Sequence, residues 1–68
     1  FKLGRAAEAL PALEKAVSLM PIPDATVFDH LGDVLAALGR KSEAKEAWGK
    51  SVAVEKSEVV QNKLDAEP

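Results

Sequence analysis

Apolar side chains recur over residues 5–20 at Ala6, Ala9, Leu10, Leu13, Ala16, Val17 and Met20. This is the i, i+3, i+4, i+7 spacing of one face of an α-helix. Pro11 interrupts it. Inside a helix a proline deletes a backbone hydrogen bond and crowds the preceding turn, at a cost of about 3 kcal/mol. In the first turn little is lost. The pattern therefore predicts a helix that begins late, near Ala7 or Glu8, or one that starts earlier and bends at Pro11. Met20-Pro21-Ile22-Pro23-Asp24 ends it, because the residue before each proline is pushed out of the α region.

Asp24 is placed to cap a second helix through its side-chain oxygen. Val27, Phe28, Leu31, Val34, Leu35 and Leu38 then form one apolar stripe. Gly32 lies inside that helix, where glycine costs about 1 kcal/mol relative to alanine; its expected use is close approach of another helix. Gly39 is expected to end the helix in the left-handed conformation. A third helix runs from Lys41 or Ser42 to Glu55, with Ala44, Ala47, Trp48, Ser51, Val52 and Val54 or Glu55 inward. Glu43 sits in its first turn, where an acid suits the helix dipole. Glu46 and Lys50 make an outward i, i+4 pair. Ser57-Glu58 starts a short last helix with Val59, Val60 and Leu64 as its apolar contacts. Asp65 to Pro68 are expected to fray.

The phrase Leu38-Gly39-Arg40-Lys41-Ser42-Glu43-Ala44 has an echo at Leu3-Gly4-Arg5-Ala6-Ala7-Glu8-Ala9. At a shift of 35 residues, Leu3, Gly4, Arg5, Glu8, Ala9, Ala12, Lys15 and Val17 meet identical residues at Leu38, Gly39, Arg40, Glu43, Ala44, Ala47, Lys50 and Val52. Leu13 meets Trp48, and Ala16 meets Ser51. A period of this length marks a repeat architecture. Residues 3–20 read as the second half of one helical hairpin, and 25–55 as a whole hairpin. The expected fold class is all-α: about one and a half antiparallel hairpin repeats, as a half repeat over 1–23 and a complete one over 24–57, then a capping helix and tail over 58–68.

This repeat resembles the tetratricopeptide family. Phe28, Leu31-Gly32 and Leu35 in the first helix, Gly39 at the turn, and Ala44, Trp48 and Ser51 in the second helix carry the likeness. Gly4, Ala9, Leu13, Ala16 and Pro21 supply part of the preceding copy. The departures are Leu35 and Lys41 where the family has aromatics, Ser51 for alanine and Lys56 for the closing proline. Asp29-His30-Leu31-Gly32-Asp33 followed by Leu38-Gly39-Arg40 and Trp48 looks most like the final repeats of bacterial multi-repeat proteins. The likeness covers residues 3–58. Asn62 stands where a further repeat would want a large side chain, so Val59–Leu64 reads as a cap over the last apolar face. The resemblance implies a solenoid segment that serves as a non-catalytic protein–protein interaction scaffold. The neighbouring alternative is the pentatricopeptide repeat, which binds RNA one base per repeat. Leu31-Gly32, Trp48 and the acidic charge balance weigh against it.

Composition narrows the chemistry. Sixty-eight residues make one small unit, marginal in stability without staples. There is no cysteine, hence no disulfide, thiolate metal site or cysteine nucleophile. The net charge is −2, and no basic patch points to nucleic acid or an anionic membrane. No apolar run nears the roughly 18 residues of a membrane span, and no signal-peptide pattern is visible. The chain opens at Phe1, inside the first copy of the repeated phrase. It is expected to be a piece of a longer array whose targeting signals lie elsewhere, with the cytoplasm as the default compartment. His30, the sole histidine, lies near Asp29 and Asp33, but a metal site would want further ligands. Ser18, Ser42, Ser51 and Ser57 lack a base arrangement, and no glycine-rich phosphate loop is present. No cofactor, metal or enzymatic activity is expected. Trp48 reads as core, and Lys2, Arg5, Arg40, Lys41, Lys45 and Lys50 as a solvated outer face.

Two surfaces remain as candidates for binding. Asp29 and Asp33 are four residues apart and share a helix face. The resemblance places Thr26, Asp29, Asp33, Ala36 and Ala37 along the concave groove in which such repeats hold a peptide or a partner helix. Two carboxylates repel a partner's terminal carboxylate, so a basic or neutral segment is expected there; the alternative is that both aspartates are plain solvated surface. The second candidate is the helix over residues 5–20. Leu10, Leu13 and Val17 are expected to be partly bare, inviting self-association as an isologous dimer. A purely architectural role is the remaining alternative.

Overall fold

The computed structural model describes residues 3–66. Four helices follow one another: α1 (Leu3–Leu19), α2 (Ala25–Ala37), α3 (Lys41–Val54) and α4 (Glu58–Ala66). No strand occurs among the described residues. The fold is all-α, an antiparallel α2–α3 hairpin flanked by α1 before it and the short α4 after it. The α2–α3 pairing is the most extensive; α1 packs on α2, and α4 on α3. The outline is a slab of 31 × 29 × 16 Å. Among the described residues no helix is long and apolar enough to cross a membrane.

Local chemistry sets the ends of α2. The Thr26 N–H donates to Asp24 Oδ1 at 2.9 Å, a side-chain cap on one of the donors that a helix start leaves unpaired. At the other end Gly39 has φ +78. The Gly39 N–H donates to the Ala36 carbonyl at 3.0 Å and the Arg40 N–H to the Leu35 carbonyl at 2.9 Å. This pair is the Schellman arrangement, which satisfies the last carbonyls and reverses the chain.

The core forms where the inward stripes meet. Phe28, Gly32, Val34 and Leu35 of α2 and Ala44, Ala47, Trp48 and Ser51 of α3 are all buried. Gly32 permits the closest approach. A Cβ there would overlap Nε1 and Cδ1 of the Trp48 indole and lie 2.8 Å from Cε2. Ser51, where the resembled family has alanine, has a purpose: its hydroxyl donates to the Ala25 carbonyl at 2.8 Å, tying the end of α3 to the start of α2.

Several expectations need correction. Of the two starts expected for α1 the late one is not found: α1 starts at Leu3, so Pro11 lies well inside the helix and not in its first turn. The carbonyl that loses its donor is that of Ala7, and Ala7 and Pro11 are both exposed. Ala6 and Leu10 are buried and anchor α1 against its neighbours, offsetting the proline. The echo Leu3-Gly4-Arg5 lies within α1 and is helical, where Leu38-Gly39-Arg40 turns. Val54 and Glu55 are exposed, not inward, because α3 ends at Val54 and Glu55 is extended (φ −147, ψ 116). Val59 is 65% exposed while Val60 is buried, the helical rotation favouring Val60 with Leu64. Asp65 is helical rather than frayed and accepts from Gln61 Nε2 at 3.1 Å. The Lys50 ammonium, expected beside Glu46, lies 6.0 Å from the Phe28 ring centroid. Lys2 of the expected charged face and Glu67 and Pro68 of the expected tail lie outside the described residues.

The Gly32–Trp48 contact makes a direct prediction. Gly32→Ala destabilises the fold by about 2–3 kcal/mol through overpacking. In a Trp48→Leu background, where the opposing side chain is shorter, the same change costs under about 1 kcal/mol. Urea denaturation measures both, and equal costs in the two backgrounds would show that the indole is not the obstacle.

Candidate functional site

The two aspartates singled out from the sequence lie one turn apart on α2 and are brought together on one spot, which is already occupied. Lys63 of α4 places its Nζ 2.7 Å from Asp29 Oδ1. The same nitrogen lies 2.9 Å from Asp33 Oδ1 and 3.1 Å from Oδ2. All three side chains are partly buried, with 28% of Lys63, 24% of Asp29 and 30% of Asp33 exposed. The aspartates are neither bare groove nor plain solvated surface. They form a paired anion that receives one cation from a helix about 30 residues further along the chain.

The seat of Lys63 follows from its place in α4. Val60 is buried and Leu64 packs against the same core. Lys63, three residues after Val60 and next to Leu64, is carried to the edge of that contact and across to α2. Burial pulls the ammonium toward its neutral form. The hydrogen bonds to Asp29 and Asp33, together with their charges, outweigh that pull, and the Lys63 pKa is raised above its ordinary 10.5.

The other expected groove residues separate. Thr26 is exposed and opens, with Asp29, on a small recess of about 140 Å³. That recess lies between the start of α2, the end of α3 and the start of α4, and adds Glu55 and Ser57 to its rim. Ala36 and Ala37 are half-buried against the core cluster rather than open. His30 is exposed on another part of α2, where it borders an apolar groove with Asp33. No group of three or more His, Asp or Glu side chains among the described residues is arranged to hold a metal ion. Trp48 is 3% exposed, and its indole N–H has no hydrogen-bond partner.

The apolar strip expected to be partly bare on α1 is so at two of its three positions. Leu10 is buried, and Leu13 and Val17 are half-buried. Val17 lines a recess with Phe28, Leu31 and Leu35. The bare large side chains of this region are Leu19 and Ile22. Lys63 was the partner of the two aspartates that sequence reasoning missed. Its signal was its position: a lone cation beside the apolar pair Val60 and Leu64 on a helix otherwise read as a cap.

No protein-family model matches the chain, and no curated protein or solved structure matches it significantly.

Lys63→Met keeps the stem and removes the charge. It is expected to cost about 1–2 kcal/mol, since two half-buried carboxylates lose their shared donor. Because the folded-state pKa is raised, the wild-type advantage over Lys63→Met is fully present below pH 10.5 and disappears as pH rises through the higher folded value. Thermal melts of both proteins across alkaline pH check this; an advantage that persists with Lys63 neutral would assign it to packing.

Proposed function

We propose that this chain is a tetratricopeptide-type repeat segment acting as a non-catalytic protein–protein interaction scaffold. Its acidic α2 face, centred on Asp29 and Asp33, takes a basic or neutral peptide or helix. The observation that carries this reading is the way the acidic face takes a cation: α4 packs on α3 and sets one lysine between two carboxylates of α2. A partner segment with a lysine or arginine next to small apolar residues meets the same chemistry. The recess beside Asp29, with Glu55 on its rim and Thr26 exposed, extends the acidic surface past the point that Lys63 occupies. The net charge of −2 is in keeping with a cationic partner and against a nucleic-acid one.

One observation favours a second, architectural reading: Lys63 already occupies the pair and offsets one of its two charges, so the contact serves to hold α4 down. The readings differ in what removal of Lys63 does. If the face binds partners, Lys63 competes with them, and Lys63→Ala raises affinity for a labelled Lys/Arg-rich peptide about 3- to 10-fold. Asp29→Asn lowers that affinity about tenfold. Fluorescence anisotropy at low salt measures both. Preference for acidic C-terminal peptides, or an absence of binding with only stability altered, would leave the architectural reading.

A further inference from the structure

The connections between the helices are not alike. α1 and α2 are separated by Pro21 and Pro23, and α2 and α3 by Gly39 at φ +78. The α3–α4 connection is Glu55-Lys56-Ser57, with neither proline nor glycine. α3 has no basic residue in its last turn and stops where Glu55 turns extended, at φ −147, ψ 116. α4 begins on a long cap, the Val60 N–H donating to Ser57 Oγ at 3.5 Å. A helix end leaves its last carbonyls, and a helix start its first amides, without partners inside the helix. One helix running through residues 41–66 pairs both sets, and glutamate and lysine are good helix formers. Straightening has a consequence for α4. Val60 follows Ser51 by about two and a half turns, so on one helix it emerges on the opposite side. Val60 then points away from the core that α3 covers, and Lys63 leaves Asp29 and Asp33.

We propose that two copies of this chain exchange α4: the α3–α4 connection opens into helix, and α4 of each copy docks on the α2–α3 hairpin of the other. The occupant is a second copy because its hairpin offers α4 the same contacts as its own. Lys63 of one copy seats between Asp29 and Asp33 of the other, and Val60 enters the other core, as both do within the single chain. Each acidic pair is thus completed by a residue of the opposite copy. The dimer is isologous and closed, since each copy gives and receives the same helix. Exchange keeps the α4 contacts and adds the helical hydrogen bonds of the connection. Val54 and Val59, 43% and 65% exposed, flank that connection and lie where the two opened connections pass each other. The exchange requires no foreign partner for the acidic pair and stands apart from the peptide-binding reading.

Sedimentation of the intact chain and its variants tests the exchange. The wild type is expected to pass from monomer to dimer as its concentration rises to about 1 mM. Lys56→Pro blocks the continuous helix, because a proline holds the residue before it in the extended region that Glu55 already occupies. It is expected to leave the circular dichroism of the monomer unaltered and to weaken dimerisation about tenfold or more. Ser57→Ala removes the α4 cap, which only the bent connection uses, and is expected to strengthen dimerisation about threefold or more. It keeps the proposal testable should Lys56→Pro not fold. Lys63→Glu in one chain and Asp33→Lys in another each set like charges against the acidic pair's own cation or anion. Either variant alone is expected to be monomeric. An equimolar mixture is expected to form a 1:1 dimer, in which the two altered residues meet at one site and the unaltered ones at the other. A wild type that stays monomeric throughout, or a mixture of the charge variants that does not dimerise, overturns the proposal. So does a dimer that Ser57→Ala leaves unchanged or weakens. A dimer equally stable with Lys56→Pro overturns it in favour of a different face.

Discussion

The close contact between Gly32 and the Trp48 indole sets the geometry on which the other packing depends. With no Cβ on α2 at that point, the indole lies directly against the helix backbone. The two helices come near enough for Ser51 to reach the Ala25 carbonyl. The ring brings a large apolar area into a small core, and the unpaired indole N–H is the accompanying penalty, about 1–3 kcal/mol for a buried donor. In a chain of this size that penalty is tolerable only because no other side chain covers as much surface at the crossing.

The two flanking helices are held by different physics. α1 is long enough to bury Ala6 and Leu10 and to carry a proline on its wet side. α4 has nine residues, too few for a stable isolated helix, so it is helical because it is docked. Its apolar contribution is Val60 with part of Leu64, and the Lys63 bridge to two aspartates adds direction to that small contact. A single apolar patch would leave the rotation of so short a helix loosely defined. A cation that must sit between two fixed carboxylates narrows it.

What was legible in the sequence was mostly what is decided locally. Asp24 as a cap and Gly39 as a left-handed stop depend on neighbours within a turn, and both are found in place. Gly32 as a point of close helix approach and Trp48 as a core side chain were legible as well, and the structure brings the two together. Pro11 left two starts for α1 open because its local cost is real, while the compensation that selects the earlier start lies in tertiary burial one residue away. Val54 and Val59 were misjudged because apolar character alone does not say where a helix end turns from its neighbour. The occupant of Asp29 and Asp33 was out of reach for a different reason. Nothing within a helix turn of either aspartate indicates a lysine that approaches only after α4 has folded back.

The extensive helix pairings all join consecutive helices. Such a topology closes only short loops and belongs to the class that folds rapidly. It also makes opening stepwise from the ends. α4 can lift while the α2–α3 pairing stays, so Asp29 and Asp33 are uncovered by a local transition rather than by global unfolding. The accessibility of the acidic pair is therefore governed by its own small equilibrium constant. Conditions that strengthen the hairpin core leave that constant untouched, whereas ionic strength, which weakens the Lys63 bridge, shifts it directly.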